Sequence, residues 1–176
     1  RPTIAPVDPP AVNAFLASAI SQGATLAAIG DCAICHTATK GKPFAGGRAL
    51  ATPFGTVHVT NITPDPQTGI GRWSEAAFAR AMRDGVARDG RHLYPALPYP
   101  HFTHITDQDM APLYAFLMTR APVRAETPPN VLRFPANVRA ALAAWNLFFL
   151  KSGPFRPDPG QSPDWNRGAY LVESLG

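Results

Sequence analysis

Cys32-Ala33-Ile34-Cys35-His36 is the stretch around which the rest of the chain has to be arranged. Two cysteines three positions apart, followed at once by histidine, form the attachment sequence of a c-type haem. The thiols add across the haem vinyl groups, and the adjacent imidazole, held beneath the iron by that tether, becomes the proximal ligand. Three other readings account for less of the motif. A redox pair needs a thioredoxin-like strand-to-helix context, and a zinc site needs a second pair of ligands at short spacing, which a chain with two cysteines cannot supply. A structural disulfide would close a strained four-residue loop and leave His36 without a role. The motif predicts one covalent haem c, tethered by Cys32 and Cys35, with His36 on the iron. His36 should donate its other ring proton to a backbone carbonyl, expected in the loop around Lys42 and Pro43.

The 176 residues are 45% hydrophobic and 10% aromatic, enough for a packed core in one domain. Twenty prolines and 14 glycines imply long ordered loops between few helices. The formal charge of +4 comes without a basic run or an aromatic-basic interleaving, so nucleic acid is not an expected partner. Thioether-linked haem is installed outside the reducing cytoplasm, which places the mature chain in a periplasm-like compartment. The chain opens at Arg1-Pro2 and contains no apolar span of about 18 residues. We expect a processed or trimmed start, and membrane association through a segment outside this chain.

Hydrophobic periodicity lays out a mainly α domain. Asp8-Pro9-Pro10 signals a helix entry, and Ala11 to Ile29 reads as one broken or two short helices interrupted at Gly23. Lys40 to Pro66 is loop-rich, with a strand-like Thr56 to Thr60, so a short β-hairpin at most is expected. Ser74 caps a helix to about Val86 that buries Ala77, Phe78, Ala81 and Met82. Leu93 to Thr103, with three prolines and three aromatics, suits an extended loop over a flat apolar ligand. Thr106 with Asp109 forms a capping pattern for a helix to about Thr119. Pro122 to Pro135 is an extended connector, and Ala136 to Lys151 is a last helix with Leu142, Trp145, Phe148 and Phe149 available for packing.

Residues 1–151 therefore read as one haem domain and 152–176 as a linker followed by the start of another. The second part of that division rests on an echo: Gly168-Ala169-Tyr170-Leu171 repeats Gly23-Ala24-Thr25-Leu26, the lead-in to the haem motif.

The order GDCAICHTA (30–38), PFAGG (43–47), TPFGT (52–56), NITPDPQTGIGRWS (61–74), AMRDGV (81–86), RDGRHLYPALPY (88–99) and TDQDM (106–110) resembles the first haem domain of a known family. These are the three-haem cytochrome c subunits of membrane-associated bacterial dehydrogenases for alcohols, gluconate, aldehydes and N-heteroaromatic compounds. PYPHFTHIT (98–106) and the stretch 145–173 look closest to the branch that accompanies molybdenum hydroxylases of the nicotinate, isoquinoline and aldehyde oxidoreductase type. The resemblance implies a class I cytochrome c-like helical domain with long Pro/Gly-rich loops. It also implies dehydrogenase catalytic subunits and further haem domains of the same polypeptide as partners, with a membrane quinone or terminal oxidase as acceptor.

Members with His/Met haems carry the ligand methionine where Leu97 stands here, and leucine has no lone pair to give. His101, four residues on in the same loop, is the preferred substitute, and His104 is its main competitor. His92 also occurs in Met-ligated relatives and reads as a hydrogen-bonding residue, while His58 reads as a surface or core histidine. Met82, Met110 and Met118 fall on predicted helices, where packing is the default role. Trp73 and Tyr94 resemble the family's haem-wall aromatics, with plain core packing as the other reading. Arg48 reads as a propionate partner or a solvated surface residue.

No nucleophile with its base, phosphate loop or paired carboxylate accompanies the haem motif; Asp107 and Asp109 read as helix-start residues and Asp31 as a neighbour of the haem motif. The expected function is electron transfer without substrate chemistry of its own. Two readings compete with it. Leu97 alone supports a haem sensor or peroxidase-like protein with an open distal site, and a disulfide-stapled binding module would need no haem at all.

Overall fold

The computed structural model describes residues 1–176 and is mainly α, as expected. After a single 3-10 turn at Val12–Ala14, where the Asp8-Pro9-Pro10 signal leads, the first long helix α1 runs over Ala17–Ile29. It is continuous through Gly23, contrary to the break expected there. The reason is packing. A Cβ on Gly23 would overlap the carbonyl of Pro112 and lie 2.7 Å from Phe116 Cβ, so the glycine is the contact point with helix α5, Asp107–Met118. Pro112 lacks an N–H and leaves the carbonyl of Gln108, four residues earlier, without its helical donor. The Gln22 amide, on α1, donates to that carbonyl at 3.5 Å and to Asp109 Oδ1 at 2.7 Å.

Between these helices come α2 (Cys32–Cys35), strands β1 (Ala49–Thr52) and β2 (Gly55–His58), α3 (Glu75–Asp84) and α4 (Tyr99–Phe102). Ser74 caps α3 as expected, accepting from Ala77 N–H at 3.2 Å. The helix stops two residues early because Gly85 takes the left-handed conformation, φ +62, and presses on the Tyr99 ring. The sheet has three antiparallel strands in the order β1-β2-β3, not the single hairpin expected. The extra strand, β3 (Val131–Leu132), comes from the connector and pairs Gly55↔Leu132 and Thr56↔Val131 on the free edge of β2. Gly55 has no side chain to hold the Val131 carbonyl away.

Two further expectations need correcting. Helix α6 covers Ala140–Phe149, shorter than 136–151, and has no buried residue. Leu142 and Trp145 are half-buried, but Phe148 and Phe149, expected to pack, are exposed. At the start of α5 the Thr106 side chain makes no cap bond, and its N–H goes to the Tyr170 hydroxyl at 3.3 Å. Asp109, read as a capping residue, is instead a buried carboxylate, 3% exposed, bonded by Gln22 and by Arg167 at 2.9 Å.

Tyr170 and Arg167 belong to the final helix, α7 (Pro163–Ser174), which Ser162 caps. This tail packs back on the domain: Tyr170 and Ser174 are buried, and Leu175 joins the core beside Gly30. The core itself is one cluster spanning Leu26 and Ala27 of α1, Phe78 and Met82 of α3, Phe102 and Ile105, and the length of α5.

Burial works to raise the Asp109 pKa, but the bonds from Arg167, Tyr170 and Gln22 outweigh it and hold the carboxyl below its ordinary value. Its stabilisation is therefore complete at neutral pH and is lost as pH falls through the folded pKa. Arg167→Ala should lower stability at neutral pH by about 1–2 kcal/mol, less than for a fully buried pair because the arginine is half in solvent. In denaturant titrations the gap between variant and parent should close as the carboxyl protonates. A gap that persists at acid pH would assign the effect to packing alone.

Candidate functional site

Helix α1 ends at Gly30, and Asp31, left-handed at φ 51, turns the chain into the single turn Cys32–Cys35. Positions three apart on a helical turn share a side, so both thiols project together. The turn closes with His36 N–H on the Cys32 carbonyl at 2.9 Å, which sets the imidazole directly after the second thiol. Cys35 is exposed and Cys32 half-buried. Burial pushes the Cys32 thiol up to about 11, so it stays protonated at neutral pH.

The His36 ring is fixed by Thr60: Nδ1 lies 2.7 Å from the Thr60 carbonyl. A carbonyl only accepts, so Nδ1 carries the proton and Nε2 keeps its lone pair. Burial lowers the His36 pKa and outweighs the opposing pull of Thr60, which keeps the ring neutral and able to bind metal at neutral pH. The acceptor expected near Lys42 and Pro43 is thus elsewhere. That loop acts through its backbone: Gly46 N–H donates to the His36 carbonyl at 2.8 Å, and Phe44 N–H to Thr37 Oγ1 at 3.2 Å. Gly46, at φ +73, folds the loop so tightly onto the next strand that a Cβ there would lie 2.5 Å from the Thr60 carbonyl carbon. The β1-β2 pairing continues through Val59, with Gly47 N–H on its carbonyl at 2.8 Å, and so delivers Thr60.

Of the expected site residues, Cys32, Trp73 and Leu97 each rest half-buried against the core cluster, as do Phe44 and Ile62. Tyr94 is drawn away towards α6, its ring under the Arg139 guanidinium at 4.8 Å. Arg48 donates to the Ile34 carbonyl at 2.6 Å, bracing the backbone of the motif.

Four of the five histidines are engaged through Nδ1: His36, His58 on the Pro129 carbonyl, His92 beside Asn146, and His104 on the Gly153 carbonyl at 2.8 Å. His101, exposed on α4, is the one whose ring nitrogens have no bond within the chain. Met82, Met110 and Met118 all lie in the core cluster, each no more than 9% exposed. The loop that carries Leu97 is held from outside. Tyr99, fully buried, donates its hydroxyl to Asn146 Oδ1 at 2.6 Å, and Asn146 Nδ2 donates to the Asp84 carbonyl at 3.2 Å. Burial pushes the Tyr99 hydroxyl up to about 12, so it remains a donor.

Two thiols on one turn and a neutral imidazole with one ring nitrogen tied to backbone, launched from the end of a helix whose inner face lies in the core, fit a covalently tethered haem. Sequence reasoning missed Thr60, Phe44, Ile62 and Asn146. The first acts through its carbonyl, which any residue could offer, and the others look like ordinary loop or helix residues until the chain is folded.

The sequence model of the family described as Cytochrome c matches residues 20–121. The chain is 59% identical, over its full length, to one of the subunits of nicotinate dehydrogenase from Pseudomonas putida, and spans 15% of it. It is 43% identical over 159 residues to the cytochrome c subunit of a quinone alcohol dehydrogenase of Komagataeibacter europaeus, covering 89% of this chain and 34% of that one. With a diheme cytochrome c-type protein of Cereibacter sphaeroides it shares 40% over 173 residues, 95% of this chain and 58% of the relative. The chain thus spans less than two-thirds of each of these relatives.

Gly46→Ala should destabilise the haem-loaded protein by about 1–3 kcal/mol, through the left-handed φ and the pressure of the new Cβ on Thr60. Displacing the Thr60 carbonyl also makes the imidazole a weaker donor, so the reduction potential should rise. Thermal melting and a redox titration of the same variant check both effects; an unchanged potential in a destabilised variant would remove Thr60 from control of the ligand.

Proposed function

The chain belongs to the cytochrome c family, and on that premise we propose that it is a one-electron relay for a dehydrogenase. Electrons come from the catalytic subunits and leave through further haem domains of the same polypeptide to a membrane quinone or terminal oxidase. The observation that carries this reading is the Cys32–His36 motif with His36 held by Thr60, a built haem site in a chain whose sequence offers no group for substrate chemistry. Names of similar proteins support the direction of flow: they are subunits of nicotinate, alcohol, gluconate and fructose dehydrogenases. The 59% identity to a subunit of nicotinate dehydrogenase favours a dehydrogenase of that kind as donor; the resemblance to the branch serving molybdenum hydroxylases implies a molybdenum and iron-sulfur module there. In the same reading this chain is the first domain of a three-haem subunit, residues 152–176 lead into the next domain, and the whole acts in the periplasm at the membrane.

Bound haem supplies a one-electron iron couple; the protein determines how that couple is tuned and reached. Cys32 and Cys35 fix the macrocycle, and His36 presents Nε2 in a single orientation because Nδ1 is committed to Thr60. Phe44, Ile62, Trp73 and Leu97 are half-buried apolar side chains on the core that would lie against the macrocycle in this reading. His101 is our candidate for the sixth ligand, supported by its exposed position on α4, four residues past Leu97, and by a ring that makes no bond within the chain.

The relay reading expects intact-mass spectrometry to find polypeptide plus one haem, and reduction of that haem by the cognate dehydrogenase with its substrate but not by substrate alone. Turnover of an alcohol, aldehyde or heteroaromatic by the isolated chain would refute it.

For the ligand, the oxidised protein should be low-spin with two imidazoles, and His101→Ala should turn it high-spin or water-bound while His104→Ala leaves the spectrum intact. The opposite pattern would make His104 the ligand. A high-spin parent protein would favour the open-site sensor reading instead.

A further inference from the structure

Helix α6 turns to solvent a face without one polar side chain. Leu142, Trp145 and Asn146 point inward, half-buried, while Ala140, Ala144, Leu147 and Phe148 are exposed, the last two at 81% and 76%. The chain leading into the helix exposes Phe134 and Val138 as well. A helix that faces water normally turns charged residues outward, and a contiguous apolar face on a surface marks a contact.

Charge indicates what that contact is. Between Thr127 and Pro157 the sequence contains Arg133, Arg139, Lys151 and Arg156 and no Asp or Glu. Arg139 is engaged by Tyr94 and the His92 carbonyl, but Arg133, Lys151 and Arg156 are exposed. The groove beside Leu147 adds Arg1 and Asp84, whose charges offset each other. Exposed aromatic and aliphatic side chains flanked in sequence by exposed cations are the pattern that seats a helix in the headgroup layer of an anionic bilayer. A protein partner would more naturally meet hydrogen-bonding groups that fix its register, and this face has none. Ten residues make a rod of about 15 Å, which can lie on a bilayer but not cross it; no helix of the chain is long and apolar enough to span one.

We infer that α6 is a peripheral docking surface for an anionic lipid bilayer. Leu147 and Phe148 enter the boundary between headgroups and acyl chains, and Arg133, Lys151 and Arg156 meet lipid phosphates. This goes beyond the relay function, which stands or falls on its own tests.

The haem-loaded protein should co-sediment with vesicles of mixed phosphatidylcholine and phosphatidylglycerol, and about 10-fold less with phosphatidylcholine alone. Leu147→Glu with Phe148→Glu should cut binding by about 10-fold or more without altering the melting temperature or haem spectrum, since both side chains are already in water. Arg133→Gln with Lys151→Gln should weaken binding to the anionic vesicles only. Absence of co-sedimentation, equal binding to neutral vesicles, or full binding by the glutamate variant would overturn the inference. A dimer in sedimentation velocity that the glutamate variant abolishes would assign the face to a second copy of the chain instead.

Discussion

Helix α1 lies on α5 because residue 23 has no side chain. The backbone of Pro112 occupies the space a Cβ would need, and the same proline frees a carbonyl that Gln22 satisfies from across the interface. The crossing is therefore fixed in register as well as in distance. It buries Leu26 and Ala27, one turn further along α1, and so determines where the helix ends and where the Asp31 turn launches the two thiols. A larger residue at 23 would shift the whole lead-in to the haem motif, and the turn at Asp31 would carry that shift into the site.

The site depends on backbone to an unusual degree. The proximal histidine is oriented by one carbonyl, its own carbonyl is held by the Gly46 amide, and Arg48 grips the carbonyl of Ile34 inside the motif. On the other side, Tyr99 and Asn146 clamp the Leu97 loop to the end of α3. Backbone contacts survive most side-chain substitutions, so the proximal geometry can persist while the surrounding sequence drifts. The distal loop starts on backbone, with Leu93 N–H on the Gly85 carbonyl at 2.7 Å, but beyond Leu97 it leans on two side chains, one of them on the poorly buried α6.

What was legible in the sequence follows the same division. Cys32, Cys35, His36 and the Ser74 cap announce themselves because side-chain chemistry at fixed spacing defines them. Gly23 misled because an isolated glycine in a helical pattern looks like a break, whereas here it is a contact whose partner stands some 90 residues away in the chain. Asp109 carried a capping signature and was taken instead by Gln22 and Arg167, one before it in the chain and one well after. Strand β3 has two residues and no period to read. The outward face of α6 looked like packing surface, and nothing in its own periodicity could say that the domain leaves it uncovered.

Helix α6 has no fully buried residue and is attached chiefly by Trp145 and the Asn146 amide. Helices held so lightly open locally at a small fraction of the global unfolding free energy. Each such opening takes Asn146 away from the Tyr99 hydroxyl and leaves a buried phenol without its acceptor, a state that drives the Leu97 loop to move too. Amide hydrogens of α6 and of the loop should therefore exchange with solvent as one cooperative unit, well ahead of the α1–α5 crossing. The side of the haem site facing Leu97 then breathes on the clock of its least stable helix, while the side held by His36 keeps time with the core.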